Sequence, residues 1–96
     1  MKALVLAATM LAAAPAFAED NAGRNLAAGC AICHGSEGRS VTKDVSTLAG
    51  QSKEHIVAQM HAFRDGKRPA TVMHQIAKGY TDAQIETIAA WYAARR

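Results

Sequence analysis

The chain has 96 residues, of which half are hydrophobic, and its eleven Lys and Arg against eight Asp and Glu give a formal net charge of +3. This length accommodates at most one small domain. Two cysteines are too few for a disulfide framework. Because no basic stripe is interleaved with aromatic residues, the sequence gives no indication of nucleic-acid binding.

Residues 1–18 have the pattern of a secretory signal peptide. Lys2 gives a positive start, residues 3–14 carry no charge, and the Ala-Phe-Ala that ends at Ala18 is typical of a cleavage site. The apolar run is too short to cross a bilayer, which needs about 20 apolar residues. We therefore expect cleavage after Ala18, export to the periplasm, a mature domain of residues 19–96 and no membrane span.

The mature domain needs support beyond its own apolar side chains. A chain of this size usually depends on disulfides, a metal or a cofactor for its stability. The two cysteines, Cys30 and Cys33, are too close in sequence to close a useful loop. The sequence therefore predicts that a bound group fills part of the interior.

Apolar positions recur at helical spacing in four segments, and none of them alternates as a strand would. The spacing predicts helices over about 22–33, from the N-cap Ser52 to a stop at Gly66, over about 72–78, and from Thr81 onwards. Residues 35–50 read as a long loop, which is unusual in so small a domain unless it wraps something. The fold class expected is all-α, with short helices and long loops.

Two of these helices have specific sequence signals. In the second, the apolar side chains follow an i, i+1, i+4, i+7 pattern, at Ile56, Val57, Met60 and Phe63. The last begins with a capping box between Thr81 and Gln84, and its apolar face is predicted to contain Ile85, Ile88, Ala89 and Tyr92.

Cys30, Cys33 and His34 form the C-x-x-C-H attachment signature of c-type haem. Residues three apart on a helix point the same way, so both thiols can form thioether bonds to the two vinyl groups of one porphyrin. The next residue then directs its imidazole towards the iron. We therefore predict one covalent haem c with His34 as an axial ligand.

These residues also admit three other interpretations. A zinc site needs four ligands, and no second cysteine pair is present. His55 and His61 lie six apart, outside the usual ligand spacing, and are expected to be exposed helix residues. A thioredoxin-type redox pair would need a strand before its helix. The remaining alternative is a structural cysteine pair followed by a histidine by coincidence.

The second axial ligand is expected downstream, and Met73 is the prediction. It follows the Pro69 loop, where the chain can fold back over the ring. Met60 is the rival methionine, but its place in an apolar helix face favours a role in the core. His74 adjoins Met73 and competes on position alone. A methionine ligand would raise the reduction potential relative to a second imidazole, and with both axial positions filled no site would remain for a substrate.

The chain resembles class I c-type cytochromes over essentially all of residues 19–96. The matching segments are Leu26–Gly35, Leu48–Gln51, Ile56–Met60 and the segment around Met73. Residues 63–82 are most similar to the haem subunit of flavocytochrome c sulfide dehydrogenase.

The resemblance implies a fold in which the first and last helices cross beside the haem. Leu26 would take the N-terminal core position and meet Tyr92 or Trp91, with a close approach at Ala22 or Gly23. The family usually has a proline whose carbonyl accepts a hydrogen bond from the proximal imidazole. Ser46 stands at that place here, and its carbonyl can still accept the bond although the loop loses proline's stiffness.

Two functions from different classes follow from the resemblance. The first is a haem subunit that accepts electrons from an FAD-containing sulfide dehydrogenase partner, with the catalysis on that partner. The alternative is a free monohaem carrier that diffuses between respiratory complexes. The chain has no Gly-rich dinucleotide fingerprint of its own. The basic cluster of Arg64, Lys67 and Arg68 fits either function or a solvated helix end.

Overall fold

The structure is a computed structural model that describes residues 3–5 and 21–96. Residues 3–5 are exposed and have no regular secondary structure. The rest of the predicted signal peptide, 1–18, and its cleavage site after Ala18 lie outside the described residues, so that prediction stays a prediction.

Helices are the regular secondary structure of the described ranges, and no strand occurs in them. The four α-helices are α1 (Asn21–His34), α2 (Lys53–Arg64), α3 (Met73–Lys78) and α4 (Asp82–Ala93), with a 3-10 turn at Ser36–Gly38. The predicted all-α class is confirmed. Among the helices described, none is both long and apolar enough to pass through a membrane.

The helix ends follow the predicted capping signals. The hydroxyl of Ser52 accepts the backbone N–H of His55 at 3.1 Å and starts α2. Gly66 follows the end of α2 with a φ of 72°, a conformation that is strained for other residues. At the start of α4, Thr81 accepts the N–H of Gln84, and the side chain of Gln84 accepts the N–H of Thr81. Local sequence therefore fixes where these helices begin and end.

The core lies where α4 packs against α1 and α2, with α3 packed on α2. Its centre is α4, whose Ile85 and Tyr92 are the largest fully buried side chains of the described residues. Met60 of α2 is only 7% exposed and fills this core, as expected for a methionine within an apolar helix face. The buried hydrophobic residues are Ala27, Ile56, Met60, Ala77, Ile85, Ile88, Ala89 and Tyr92.

Tyr92 joins the last helix to the first. Its hydroxyl donates a hydrogen bond of 2.5 Å to the carbonyl of Ala27, which is buried, whereas Leu26 is only partly buried. Gly23 is buried and Ala22 is exposed, so Gly23 is the small residue on the buried side of α1. Of the two aromatic candidates, Tyr92 and Trp91, Tyr92 therefore forms a hydrogen bond with the first helix. The face of α1 that meets α4 is the one that contains Gly23 and Ala27.

The long loop between α1 and α2 is tied to the α4 side by backbone hydrogen bonds. The carbonyl of Gly38 accepts the N–H groups of Leu48 and Ala49, and the carbonyl of Tyr92 accepts the N–H of Gly50. A Cβ on Gly38 would lie 2.6 Å from the Tyr92 ring, so only glycine permits this approach. The loop is thereby fixed at the end that leads into α2.

Candidate functional site

The C-x-x-C-H residues occupy the C-terminal turns of α1. Cys30 is partly buried against the core, Cys33 is exposed, and both thiols are free. His34 is the last residue of α1 and is partly buried. Their three-residue spacing on a regular helix places the two sulfur atoms on the same side.

The imidazole of His34 is oriented by the loop. Its Nδ1 lies 2.7 Å from the carbonyl oxygen of Ser46. A carbonyl can only accept, so Nδ1 carries the proton and Nε2 presents a lone pair. Nε2 has no hydrogen bond to another described residue, and it is the atom that a metal could bind. The bond forms without proline because it uses the backbone of Ser46.

Met73 is the first residue of α3, on a different helix from the C-x-x-C-H residues. It is partly buried and packs against the hydrophobic core. Its neighbours Val72 and Ile76 expose 55% and 40% of their surface, which gives this end of α3 an apolar face. Met73 therefore combines partial burial with an apolar surround, which suits a thioether ligand.

His74 faces a different part of the surface from Met73. Consecutive residues on a helix are turned by about 100°. His74 lines a cavity of about 350 Å³ between α2 and α3, and Met73 is not among the residues that line it. The Nδ1 of His74 is buried and has no hydrogen-bond partner in the described part of the chain. The structure thus separates the two candidates that the sequence left side by side.

The two sides of the site are carried by helices that do not pack on each other extensively. α1 packs on α4, α3 packs on α2, and α2 packs on α4. The residues present fit a haem group in their chemistry, with two free thiols and an oriented imidazole on α1 and a partly buried thioether on α3.

The alternatives to haem gain no support from the site. Burial raises the pKa of the Cys30 thiol, opposed by a hydrogen bond with Tyr92, whereas a redox-active pair needs a lowered thiol pKa. No strand precedes α1 in the described ranges. Across residues 3–5 and 21–96, no three His, Cys, Asp or Glu side chains form a group that could hold a metal ion.

Tyr80 and Tyr92 lie close to Cys30, and the sequence pattern gave no indication that Tyr80 would do so. A Cβ on Gly29 would lie 3.5 Å from the hydroxyl of Tyr80, which places Tyr80 beside the turn that carries Cys30. Burial raises the pKa of both Tyr80 and Tyr92, so both hydroxyls stay protonated. The thiol of Cys30 therefore sits among neutral groups.

His61 is partly exposed, since its side chain keeps 36% of its surface accessible, but one ring nitrogen is covered. Its Nε2 is buried, lacks a hydrogen bond, and lies 3.6 Å from a carboxylate oxygen of Asp82. Arg64 donates to the same carboxylate and lowers its pKa. The close approach of α2 to the start of α4 causes this burial, and no motif in the sequence indicates it. His55 is exposed as expected.

Comparison with known proteins gives consistent matches. A family model described as Cytochrome c matches residues 21–93. A cytochrome c4 of Pseudomonas aeruginosa is 33% identical over 93 residues, which cover 97% of this chain and 46% of that protein. The cytochrome subunit of sulfide dehydrogenase of Chlorobaculum tepidum is 38% identical over 73 residues, which cover 76% of this chain and 66% of that protein.

A solved structure of Acidithiobacillus ferrooxidans cytochrome c4 matches with a TM-score of 0.65 and 40% sequence identity. The match covers 68% of this chain and 37% of that chain. This chain thus spans about half the length of the first relative, and about two thirds of the sulfide dehydrogenase subunit.

Proposed function

The chain belongs to the cytochrome c family and carries covalent haem c, and we propose that it is a periplasmic one-electron transfer protein that accepts electrons from a flavoprotein sulfide dehydrogenase partner. The proposal has three parts, which are the ligands of the haem, the role as a carrier and the partner.

We assign Cys30 and Cys33 as the thioether anchors, with His34 and Met73 as the axial ligands. The bound iron takes up and releases one electron at a time. The Ser46 carbonyl orients the His34 imidazole and raises its basicity, since Nδ1 donates to that oxygen at 2.7 Å. The thioether of Met73 would favour the reduced state of the iron more than a second imidazole ligand would.

The observation that carries the proposal is the hydrogen bond between His34 and Ser46. It fixes the tautomer in which Nε2 can bind iron, and it does so at the residue directly after the two free thiols. With His34 and Met73 both bound to the iron, no coordination position is open to a substrate. The chain would therefore transfer electrons without being an enzyme itself.

The flavoprotein partner is supported by the match to the cytochrome subunit of sulfide dehydrogenase. Oxidation of sulfide to sulfur releases two electrons, and one haem accepts a single electron. The flavin of the partner would take up the electron pair and deliver its electrons singly to this chain. The chain itself lacks a Gly-rich dinucleotide fingerprint and would rely on the partner for the flavin.

The second candidate function is a free carrier between respiratory complexes, and the match to cytochrome c4 favours it. A free carrier usually relies on exposed charges that steer it to its partners. In the basic cluster, Arg64 pairs with Asp82, and Arg68 bonds to Gln59 and lies over the Phe63 ring. Only the charge of Arg64 is offset by a carboxylate, because Gln59 and Phe63 are neutral, so Lys67 and Arg68 keep charges that could steer a free carrier to an acidic partner.

The two functions are separated by the rate of haem reduction by sulfide. The haem-loaded chain is mixed with sulfide alone, with sulfide and its purified FAD-containing partner, and with sulfide and the same partner stripped of FAD. We expect rapid reduction only with the FAD-loaded partner. Equal rates in all three mixtures would refute the subunit function, and failure of any flavoprotein to co-purify with the chain would favour the free carrier.

A further inference from the structure

We infer that Thr47 is a positioning residue for His34, because its side chain holds the loop at the point where Ser46 presents its carbonyl. The inference rests on the proposed role of His34 as an axial ligand. In this chain, Thr47 would restrain the loop next to position 46, where the family usually has a proline.

The position of the Ser46 carbonyl depends on the peptide that links Ser46 to Thr47. The hydroxyl of Thr47 accepts the backbone N–H of Ser40 at 3.1 Å. The carbonyl of Thr47 accepts a hydrogen bond from the side chain of Gln51. Residue 47 is therefore held from two directions, immediately after the carbonyl that meets His34.

The Ser40–Thr47 bond is the link between the two arms of the loop at this point. Further along, the loop is fixed by backbone bonds from Leu48 and Ala49 to Gly38. The other side-chain bonds of the first arm, at Ser40 and Thr42, join residues only two apart. Within the described residues, no other hydrogen bond connects positions 40–44 to positions 46–47.

Loss of the Thr47 hydroxyl would free the Ser46 peptide to move. The hydrogen bond from Nδ1 of His34 would then open more often, and the imidazole would become a weaker electron donor to the iron. A weaker donor stabilises the oxidised iron less, so the midpoint potential should rise. Removal of one hydrogen bond of ordinary strength should raise the open fraction about fivefold.

The test uses the haem-loaded protein with the substitutions Thr47→Val, Thr47→Ser and Thr42→Val. Serine keeps the hydroxyl at position 47, and valine has nearly the shape of threonine without it. Thr42→Val is the matched control, because the Thr42 hydroxyl accepts only the N–H of Asp44 within the same loop. The readouts are the solvent exchange rate of the Nδ1 proton of His34, measured by NMR in the reduced state, and the midpoint potential.

We expect exchange in Thr47→Val to be about fivefold faster than in the wild type, with a higher potential. Thr47→Ser should restore both values, and Thr42→Val should leave both unchanged. Exchange in Thr47→Val at the wild-type rate, or the same acceleration in Thr42→Val, would overturn the inference. Failure of the proposed function would look different, since the wild type itself would then show no haem-shifted resonance from His34.

Discussion

The crossing of α1 and α4 and the loop at residues 39–51 contribute in different ways. The crossing contributes mainly to stability, and the loop orients a side chain. At the crossing, Tyr92 is fully buried and its hydroxyl reaches the Ala27 carbonyl. In the loop, most side chains are exposed, and Val41 exposes 97% of its surface. The loop is held by hydrogen bonds, while the crossing is held mainly by burial.

This difference separates stability from orientation. Burial of apolar area is non-directional and gives most of the free energy of folding. Hydrogen bonds contribute less to stability but are directional, and the one from His34 to Ser46 sets the orientation of the proposed axial ligand. Changes at the crossing should therefore alter stability most, and changes in the loop should alter the properties of the haem iron.

The largest expected effect is at the crossing. Tyr92→Ala would remove the largest side chain that is fully buried in the described part of the chain, and it should lower the free energy of unfolding by about 3–5 kcal/mol. Tyr92→Phe keeps the ring and loses the bond to Ala27 together with the weaker contact to the Cys30 thiol, so it should cost about 1 kcal/mol. Guanidinium denaturation of the haem-loaded protein measures both, and equal losses in the two variants would show that burial is not what matters here.

Gly38→Ala should affect both regions, because Gly38 lies where they meet. The new methyl group would collide with the Tyr92 ring, and the φ of 80° at position 38 is strained for alanine. We therefore expect the free energy of unfolding to fall by about 2–3 kcal/mol. Gly66→Ala is the control, since Gly66 has a similar φ but a Cβ added there would meet no other atom within 4 Å. It should lose about 1 kcal/mol. Equal losses in denaturation would mean that the contact with Tyr92 contributes nothing.

Thr81→Ala should lower stability without changing the haem. It removes one half of the capping box of α4 and should cost about 1 kcal/mol. Thr87→Ala, in the middle of the same helix, serves as the control and should cost less. Both variants should keep the wild-type midpoint potential, and a shifted potential in Thr81→Ala would contradict the separation of stability from orientation.

The smallest effect concerns acid stability. Arg64 lowers the pKa of Asp82, so the ionised carboxylate stabilises the fold above its unfolded pKa of about 3.9, and this contribution is lost as the pH falls through the folded value. Asp82→Asn should therefore reduce the fall in stability below about pH 4. Asp44→Asn serves as the control and should keep the wild-type acid profile, because Asp44 is exposed in the loop and forms no ion pair with another described residue. Parallel acid profiles for Asp82→Asn and the wild type would contradict this assignment.

The helices and part of the site could be predicted because their signals are local. Ser52 and Thr81 mark helix starts within a few residues, and the C-x-x-C-H spacing specifies its chemistry within five. The same locality explains why Met60 could be assigned to the core from the pattern of α2 alone.

The contacts that could not be predicted join residues far apart in the sequence. The pair of Arg64 and Asp82 spans 18 positions and has no local signal. The bond from Tyr92 to Ala27 spans 65 positions, and only the resemblance to class I cytochromes predicted Tyr92 or Trp91 beside the first helix. No sequence motif indicates the bond between Ser40 and Thr47, because serine and threonine occur in many polar loops that lack such a bond. Such pairs depend on how the helices pack, which periodicity does not give.

The most direct test of the ligand assignment compares Met73→Leu with Met60→Leu in the oxidised protein. Leucine nearly conserves the volume of methionine, so both variants should fold and keep covalent haem. The measurement is the sulfur-to-iron charge-transfer absorption band. We expect the band to be present in the wild type and in Met60→Leu and absent in Met73→Leu. A band that persists in Met73→Leu, or that is lost in Met60→Leu alone, would contradict the ligand assignment.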